Sequence, residues 1–427
     1  MFFVWGMHRG RLMGLVVTAL AAVLVSSCGG GGGQEEHPAA GSHAKGGGGG
    51  RAPTADLDAA LKKSFKESDA PGVVAAVQTP EYTWVRALGV RNRTTKKPMT
   101  PEVHHRIGSV TKTFTATLLL KAEGDGLLSL DDTIDQYIKG VPNGDEITLR
   151  QLATMTSGIA TYSENRKFDF DGDPGTDPYR VWKPEELVKI GIEDSPLFDP
   201  GTQFDYSNTN YVLLGLVLEQ VTGKPIGELY RRWIIEPLGL KDTSFPDTSD
   251  TSLPDPHAQG YTLQGESSGE KPRDATDWNA SWTWTAGMMI STVDDLLVYG
   301  RALGTGKGLL SPEQQDERID SLVSDVPPFD QPPLKGDFGY GLGLMKEHGW
   351  IGHSGVIPGY NTALYYNREL DAVLVVETDS DIFSGDCPEG RPTMKDGPQN
   401  IPCDVPASRI FRALAEALGK PAPAAAQ

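Results

Sequence analysis

Ser109-Val110-Thr111-Lys112-Thr113-Phe114-Thr115-Ala116-Thr117-Leu118-Leu119-Leu120 decides how the rest of the chain is read. The stretch keeps helical periodicity to Ala122 and closes at Gly124. Residues three apart share one face of a helix, so the Lys112 amine can reach the Ser109 hydroxyl. A serine hydroxyl is a weak nucleophile and needs a base. Lysine serves as that base only when neutral, and moving its pKa from about 10.4 to about 7 costs about 4–5 kcal/mol. Burial, or a neighbouring cation, supplies such a shift. The four-residue pattern alone says little, because Ser42-His43-Ala44-Lys45 and Ser268-Gly269-Glu270-Lys271 repeat it. Those two lie in a glycine-rich tether and a polar loop. Only Ser109 begins a helix that can bury its lysine.

Two further segments carry compatible chemistry. Tyr206-Ser207-Asn208 offers a phenol that can relay a proton and an amide that can hold a substrate carbonyl. A similar Tyr365-Tyr366-Asn367 sits inside a strand pattern late in the chain. His353-Ser354-Gly355, before Val356, reads as an edge strand whose histidine faces the site, with Gly355 letting a substrate backbone come close. The three segments are widely separated, so each belongs to a different part of the fold.

In this order the three elements resemble the SxxK, Tyr-x-Asn and Lys/His-x-Gly motifs of the serine β-lactamase and penicillin-binding protein family. The flanking stretches Ile147–Ile159, Phe198–Gly215, Ala286–Leu296 and Phe338–Leu344 are similar too, and the likeness runs from about Ala55 to Leu418. The resemblance implies that Ser109 attacks a carbonyl to form an acyl-enzyme, while Lys112 and Tyr206 share base and relay work. It implies an oxyanion hole from the Ser109 and Val356 N–H groups. Asn208 would orient the substrate amide, and His353 with Ser354 would polarise the relay and bind a substrate anion. Trp282 stands either as a substrate-lining ring, as in D-alanyl-D-alanine carboxypeptidases of the group, or as a core aromatic. There is one departure. An arginine expected after Tyr340-Gly341-Leu342-Gly343-Leu344, to hold a terminal carboxylate, is Met345 here. Lys346 is displaced by one residue to the opposite strand face.

The surrounding sequence predicts an α/β (α+β) body, an antiparallel sheet flanked by helices. Leu57, Leu61 and Phe65 form a helical stripe; Gly72–Gln78 and Tyr82–Gly89 read as strands. A mainly helical insertion follows over approximately 131–284, its clearest helix at Tyr211–Val221 with Gly223 beyond. TALYYN and DAVLVVE near the end form a hairpin, and Ser408–Leu418 a last amphipathic helix. The hydrolase domain is expected over 54–420.

The N-terminus predicts processing rather than fold. His8, Arg9 and Arg11 precede an apolar run from Leu12 to Val25. Fourteen helical residues reach only about 20 Å, short of a ~30 Å hydrocarbon core, so the run suits a signal peptide. Val25-Ser26-Ser27-Cys28 resembles a lipobox, giving a signal over 1–28 with lipidation of Cys28. Residues 29–53, with two five-glycine runs, form a flexible tether. Three cysteines leave Cys387 and Cys403 as a pair once Cys28 is used. An oxidising compartment favours a disulfide there over two free thiols.

A net charge of −18 without a basic cluster outside the first dozen residues argues against nucleic acid. No metal-ligand pattern or phosphate-binding glycine loop is present, so no cofactor or metal is expected; adjacent His104 and His105 would point to different strand faces. The reading is therefore an extracytoplasmic, lipid-anchored monomer acting on a peptidoglycan-type peptide or a small ester or amide. D-alanyl-peptide hydrolysis ranks first, because His353 replaces the lysine of β-lactamases and resembles the carboxypeptidase and esterase branches. Esterase and β-lactamase activities follow. The rival of another class is a catalytically silent penicillin-binding sensor, against which the presence of both Ser109 and Lys112 speaks.

Overall fold

The computed structural model describes residues 53–165, 168, 177–264, 271–328, 335–388, 391–394 and 396–422. Its centre is a seven-stranded antiparallel sheet built from the two ends of that range. The strands are β1 (Gly72–Gln78), β2 (Thr83–Gly89), β3 (Phe338–Tyr340), β4 (Met345–Glu347), β5 (Trp350–Ile357), β6 (Tyr360–Asn367) and β7 (Ala372–Thr378). Their spatial order is β2-β1-β7-β6-β5-β4-β3. The central strands β1, β6 and β7 are buried on both faces, which explains apolar runs such as Gly72-Val73-Val74-Ala75-Ala76-Val77 in place of strict alternation.

One face of the sheet is covered by α1 (Thr54–Ser68), the first helix, and by the Pro406–Ala417 helix near the end. Their apolar stripes meet Val73, Ala75, Val77, Leu374 and Val376. In the terminal helix the buried set Ala407, Ile410, Phe411, Leu414 and Ala415 recurs at helical spacing, and Phe411 stacks on Tyr365 of β6 at 4.4 Å. The other face takes Val74, Ala76, Val373 and Val375 into a larger core shared with α2 (Thr111–Gly124) and the Val293–Thr305 helix. Val73 pairs with Thr378 and Ala76 with Val375, so the register itself sorts the side chains between the two cores.

None of the described residues between Gly89 and Phe338 forms a strand of the main sheet. Among the described residues of the 131–284 span the longest helix runs from Asn208 to Thr222, closed by left-handed Gly223. Shorter helices lie at Leu149–Ala153, Pro184–Gly191 and Ile226–Tyr230. The helical layer also includes α2 before this span and Val293–Thr305 and Pro312–Asp320 after it.

His353 does not lie on an edge strand. β5 sits between β6 and β4, but β4 pairs only as far as Gly352. The shortness of β4 leaves His353–Ile357 with a strand partner on the β6 side alone among the described strands.

Candidate active site

The nucleophile's position follows from one turn. Gly108 takes φ +52°, a left-handed conformation that favours glycine, and begins a 3₁₀ turn that runs into α2. Just before it, His105–Arg106 pairs with Ile290–Ser291 and Ile107 N–H bonds the Met289 carbonyl. This fixes the turn against β5. A Cβ placed on Gly355 would stand 2.0 Å from the Ile107 carbonyl oxygen. The close approach at Gly355 is therefore made by the chain's own backbone, where a substrate backbone had been expected. The same packing puts two N–H groups side by side. A Cβ on Gly108 would lie 2.9 Å from the Val356 nitrogen, and one on Gly355 would lie 3.0 Å from the Ser109 nitrogen.

Lys112 is fully buried, with Nζ 2.9 Å from Ser109 Oγ. Nζ donates to the Ala286 carbonyl at 2.8 Å and lies 4.9 Å from the centre of the Tyr206 ring. Burial alone holds this amine well below the usual lysine range. The shift needs no neighbouring cation. A neutral amine that spends a hydrogen on Ala286 keeps its lone pair for the Ser109 proton. Burial pushes the Tyr206 phenol in the opposite direction, up, against a lowering hydrogen bond with Ser109. Tyr206 thus keeps a proton that it can donate at neutral pH, and neutral Lys112 can accept one.

Tyr206 and Asn208 are set by the segment that follows the Leu149–Ala153 helix. Met155, at φ +62°, accepts the Asp205 N–H on its carbonyl. Its sulfur accepts the Ser207 N–H at 3.4 Å, and the Tyr211 hydroxyl donates to the Ala153 carbonyl at 2.8 Å. Asn208 Nδ2 donates to Ser163 Oγ at 3.3 Å.

His353 is 1% exposed and packs beside Tyr206 and Tyr340. Nδ1 faces the Ser354 carbonyl, so the proton sits there and Nε2 accepts from the Tyr340 hydroxyl at 3.1 Å. Burial, then the nearby Lys112, pushes the imidazole down to about 3. His353 is therefore held neutral and offers no positive charge to a substrate anion. Ser354 is also displaced from its expected role. It pairs with Ala363, which belongs to the terminal-helix core, whereas His353 pairs with Leu364 of the larger core. Opposed residues share a face, so Ser354 Oγ points away from the catalytic side, 3.8 Å from the Met345 sulfur.

Ser109 opens into a cavity of ≈ 220 Å³ whose lining includes Tyr206, Asn208, Trp282 and Val356. Trp282 is half-buried and its ring lies 5.4 Å from Phe168, so it is a wall of the cavity. Lys112, His353, Ser354 and Gly355 do not line it: the first two act from behind, and Ser354 faces elsewhere. Sequence reasoning missed Glu164, Asp205 and Gln264, which do. Asp205 stands directly before the Tyr-x-Asn motif, a signal that was available; Glu164 and Gln264 lie in loops without periodicity.

The bridge between Cys387 and Cys403 is formed. Cys28, Ser42 and Ser268 lie outside the described residues. His104 and His105 diverge, one bonding the Pro256 carbonyl and the other facing Glu377. No cluster that could hold a metal occurs among the described residues.

The family model for beta-lactamase matches residues 54–389, which contain Ser109–Lys112, Tyr206–Asn208 and His353–Gly355. The chain belongs to the beta-lactamase family. Among similar members, the putative penicillin-binding protein PbpX of Bacillus subtilis is 25% identical over 325 residues, covering 76% of this chain and 74% of PbpX. A D-stereospecific amidohydrolase from Streptomyces sp. superposes with TM-score 0.68 at 33% identity, over 76% of this chain and 94% of the other. D-amino acid amidase from Ochrobactrum anthropi SV3, solved with L-phenylalanine amide, gives TM-score 0.69 at 26% identity, over 85% and 99%. This family membership agrees with the Ser109–Lys112 geometry and places the chain among serine hydrolases.

Proposed function

We propose that this beta-lactamase-family hydrolase cleaves D-configured amides or short peptides that carry a free ammonium group, through an acyl-enzyme on Ser109. The observation that carries the reading is the pair of carboxylates, Glu164 and Asp205, on the wall of the cavity that holds the nucleophile. Burial and then the charge of Asp205 push Glu164 up to about 7, as expected for two acids facing one space with no cationic side chain among the described residues that line it. A substrate ammonium would relieve that repulsion; a terminal carboxylate would add to it. The similarity to a D-stereospecific amidohydrolase and a D-amino acid amidase supports amide substrates and D configuration.

In the forward step neutral Lys112 takes the Ser109 proton while Oγ bonds to the carbonyl carbon. Negative charge moves to the carbonyl oxygen, facing the Ser109 and Val356 N–H groups, an arrangement typically worth about a hundred- to a thousand-fold in rate. Tyr206 gives its proton to the leaving nitrogen, the C–N bond breaks, and the Lys112 ammonium restores the phenol. Water then repeats the sequence on the acyl-enzyme. Asn208 orients the acyl group, and His353 with Tyr340 fixes the relay from behind. Export and lipidation at Cys28 belong to the same reading, from the signal-like run at Leu12–Val25. A fatty-acid analogue should then label the wild type and not Cys28→Ala.

The experiment is a panel of D-Ala-D-Ala amide, its N-acetyl derivative, free D-Ala-D-Ala, a p-nitrophenyl ester and nitrocefin, with wild type and Ser109→Ala. Turnover led by the free-amine amide and lost in Ser109→Ala is the expected result. A lead for nitrocefin would make the chain a β-lactamase, and activity retained in Ser109→Ala would remove the nucleophile assignment.

A further inference from the structure

The two acids on the cavity wall are brought together by hydrogen bonds between their segments. The Tyr162 N–H donates to Thr209 Oγ1 at 3.0 Å, and that hydroxyl donates to the Ala160 carbonyl at 2.7 Å. The Asn208 N–H donates to Thr161 Oγ1 at 3.2 Å, and Asn208 Nδ2 to Ser163 Oγ at 3.3 Å. The Thr161 and Ser163 hydroxyls lie 2.9 Å apart. Ser163 and Asn208 therefore meet directly, one residue from Glu164 and three from Asp205, and all four line the cavity.

An asparagine amide has a donor end and an acceptor end. Ser163 holds the donor end of Asn208, so Oδ1 is the free one. Among the described residues nothing donates to this oxygen, and unlike the buried Ser207 hydroxyl beside it, it keeps accessible surface. Since Asn208 is a lining residue, that surface belongs to the cavity. The second hydrogen on Nδ2 remains for a substrate carbonyl, as the motif implies; Oδ1 is a separate contact.

The wall thus presents acceptors. Glu164 and Asp205 are exposed carboxylates, which only accept hydrogen bonds when ionised, and Asn208 Oδ1 accepts as well. A primary ammonium brings three hydrogens to match them. We propose that Asn208 Oδ1 is the third acceptor for a primary ammonium on the substrate's acyl portion, beside Glu164 and Asp205, and that Ser163 is the positioning residue that keeps this oxygen outward. The inference rests on the ammonium reading of the Glu164–Asp205 wall. It adds that the wall selects by N–H groups as well as by charge. In Ser163→Ala the amide loses its anchor and can turn over, which sets its NH2 group toward the carboxylates and against the incoming ammonium.

The test uses p-nitroanilides of D-alanine, N,N,N-trimethyl-D-alanine and propionic acid. The first carries charge and N–H groups, the second charge alone, the third neither. At about pH 7.5 the α-amino group is mostly protonated and Glu164 mostly ionised. The wild type should prefer the primary ammonium to the trimethyl cation by at least about tenfold. Ser163→Ala should lower kcat/KM on the D-alanine anilide about tenfold, the loss of one hydrogen bond to a charged group. The other two anilides should stay within about twofold. Ser163→Thr keeps the hydroxyl and should keep the wild-type preference. A uniform fall in Ser163→Ala, no fall at all, or a Ser163→Thr that behaves like the alanine variant would overturn the inference. Glu164→Gln separates it from the reading beneath it, since removing a charge should lower both cationic anilides relative to the propionyl one. If that loss appears while Ser163→Ala is without selective effect, the acidic wall stands and the third acceptor falls. If Glu164→Gln spares both cations, or the wild type is inert toward all three anilides, both fall.

Discussion

Replacing Glu164 by glutamine removes one of the two negative charges in the cavity and keeps the side-chain shape. A hydrogen bond to a charged group is typically worth about 1.5–3 kcal/mol. Glu164 is exposed toward the open cavity, which screens it, and Asp205 remains. The lower end of the range therefore applies, and ~1.4 kcal/mol is tenfold. For D-Ala-D-Ala amide, kcat/KM should fall about tenfold in Glu164→Gln, mostly through KM; for the N-acetyl derivative it should stay within about twofold. The pH profile supplies the second readout. Because Glu164 is pushed up to about 7, it is neutral below that pH and charged above it. Wild-type kcat/KM on the ammonium substrate should rise through about pH 7, and this rise should be missing in the variant. The linkage to stability runs the other way. A carboxyl whose folded pKa lies above its unfolded value favours the fold below the unfolded pKa and loses that contribution as pH rises through about 7. Glu164→Gln should therefore not destabilise the protein at pH 8. Equal losses on both substrates, or a rise that persists in the variant, would refute the assignment of the ammonium to this wall.

Three other predictions follow from the same site. Lys112→Met should abolish acylation, and it should raise Tm, by roughly 2–4 °C for each kcal/mol recovered in a domain of this size, because a buried amine held neutral disfavours folding at pH 7; thermal melts and fluorophosphonate labelling check both. The folded pKa of Lys112 lies below its unfolded value, so wild-type stability should increase as pH rises toward the ordinary lysine range, and Lys112→Met should flatten that slope. His353 is neutral above about pH 3, so His353→Asn should change kcat without removing any titration between pH 5 and 8; a limb near pH 6.5 that vanishes in the variant would mean that His353 is charged in the working enzyme. Free D-Ala-D-Ala should be turned over at least tenfold more slowly than its amide, since Met345 supplies no charge and its sulfur packs against Ser354 and Tyr365; a preference for the free acid would require another group to hold the carboxylate.

How much of this was legible in the sequence depends on what each feature needs. The longer strands were readable because they are apolar runs bounded by turns, and the fold class followed from their placement at both ends of a helical stretch. The three-residue strands Phe338–Tyr340 and Met345–Glu347 carry no such run. Ser109 was distinguishable from Ser42 and Ser268 by the apolar helical pattern behind it, and that helix does bury Lys112. What the sequence could not carry was anything set by register or by loops meeting across the cavity. The side chain of Ser354 turns away because Ala363 opposes it in β6, and the partner of a strand residue is not written in the strand. The imidazole of His353 loses its charge because Tyr206, Tyr340 and Lys112 enclose it, three residues drawn from separate segments. Glu164, Asp205 and Gln264 come from loops more than forty residues apart in one instance and fifty in another, and no periodicity ties them. Gly355 shows the difference most plainly. As a motif residue it reads as room for a substrate, yet the atom that needs the room is the Ile107 carbonyl. Any side chain at 355 would push the nucleophile's turn off β5 and separate the Ser109 and Val356 N–H groups. The glycine therefore acts on the substrate through the oxyanion geometry, by keeping two strands of the protein's own backbone in contact.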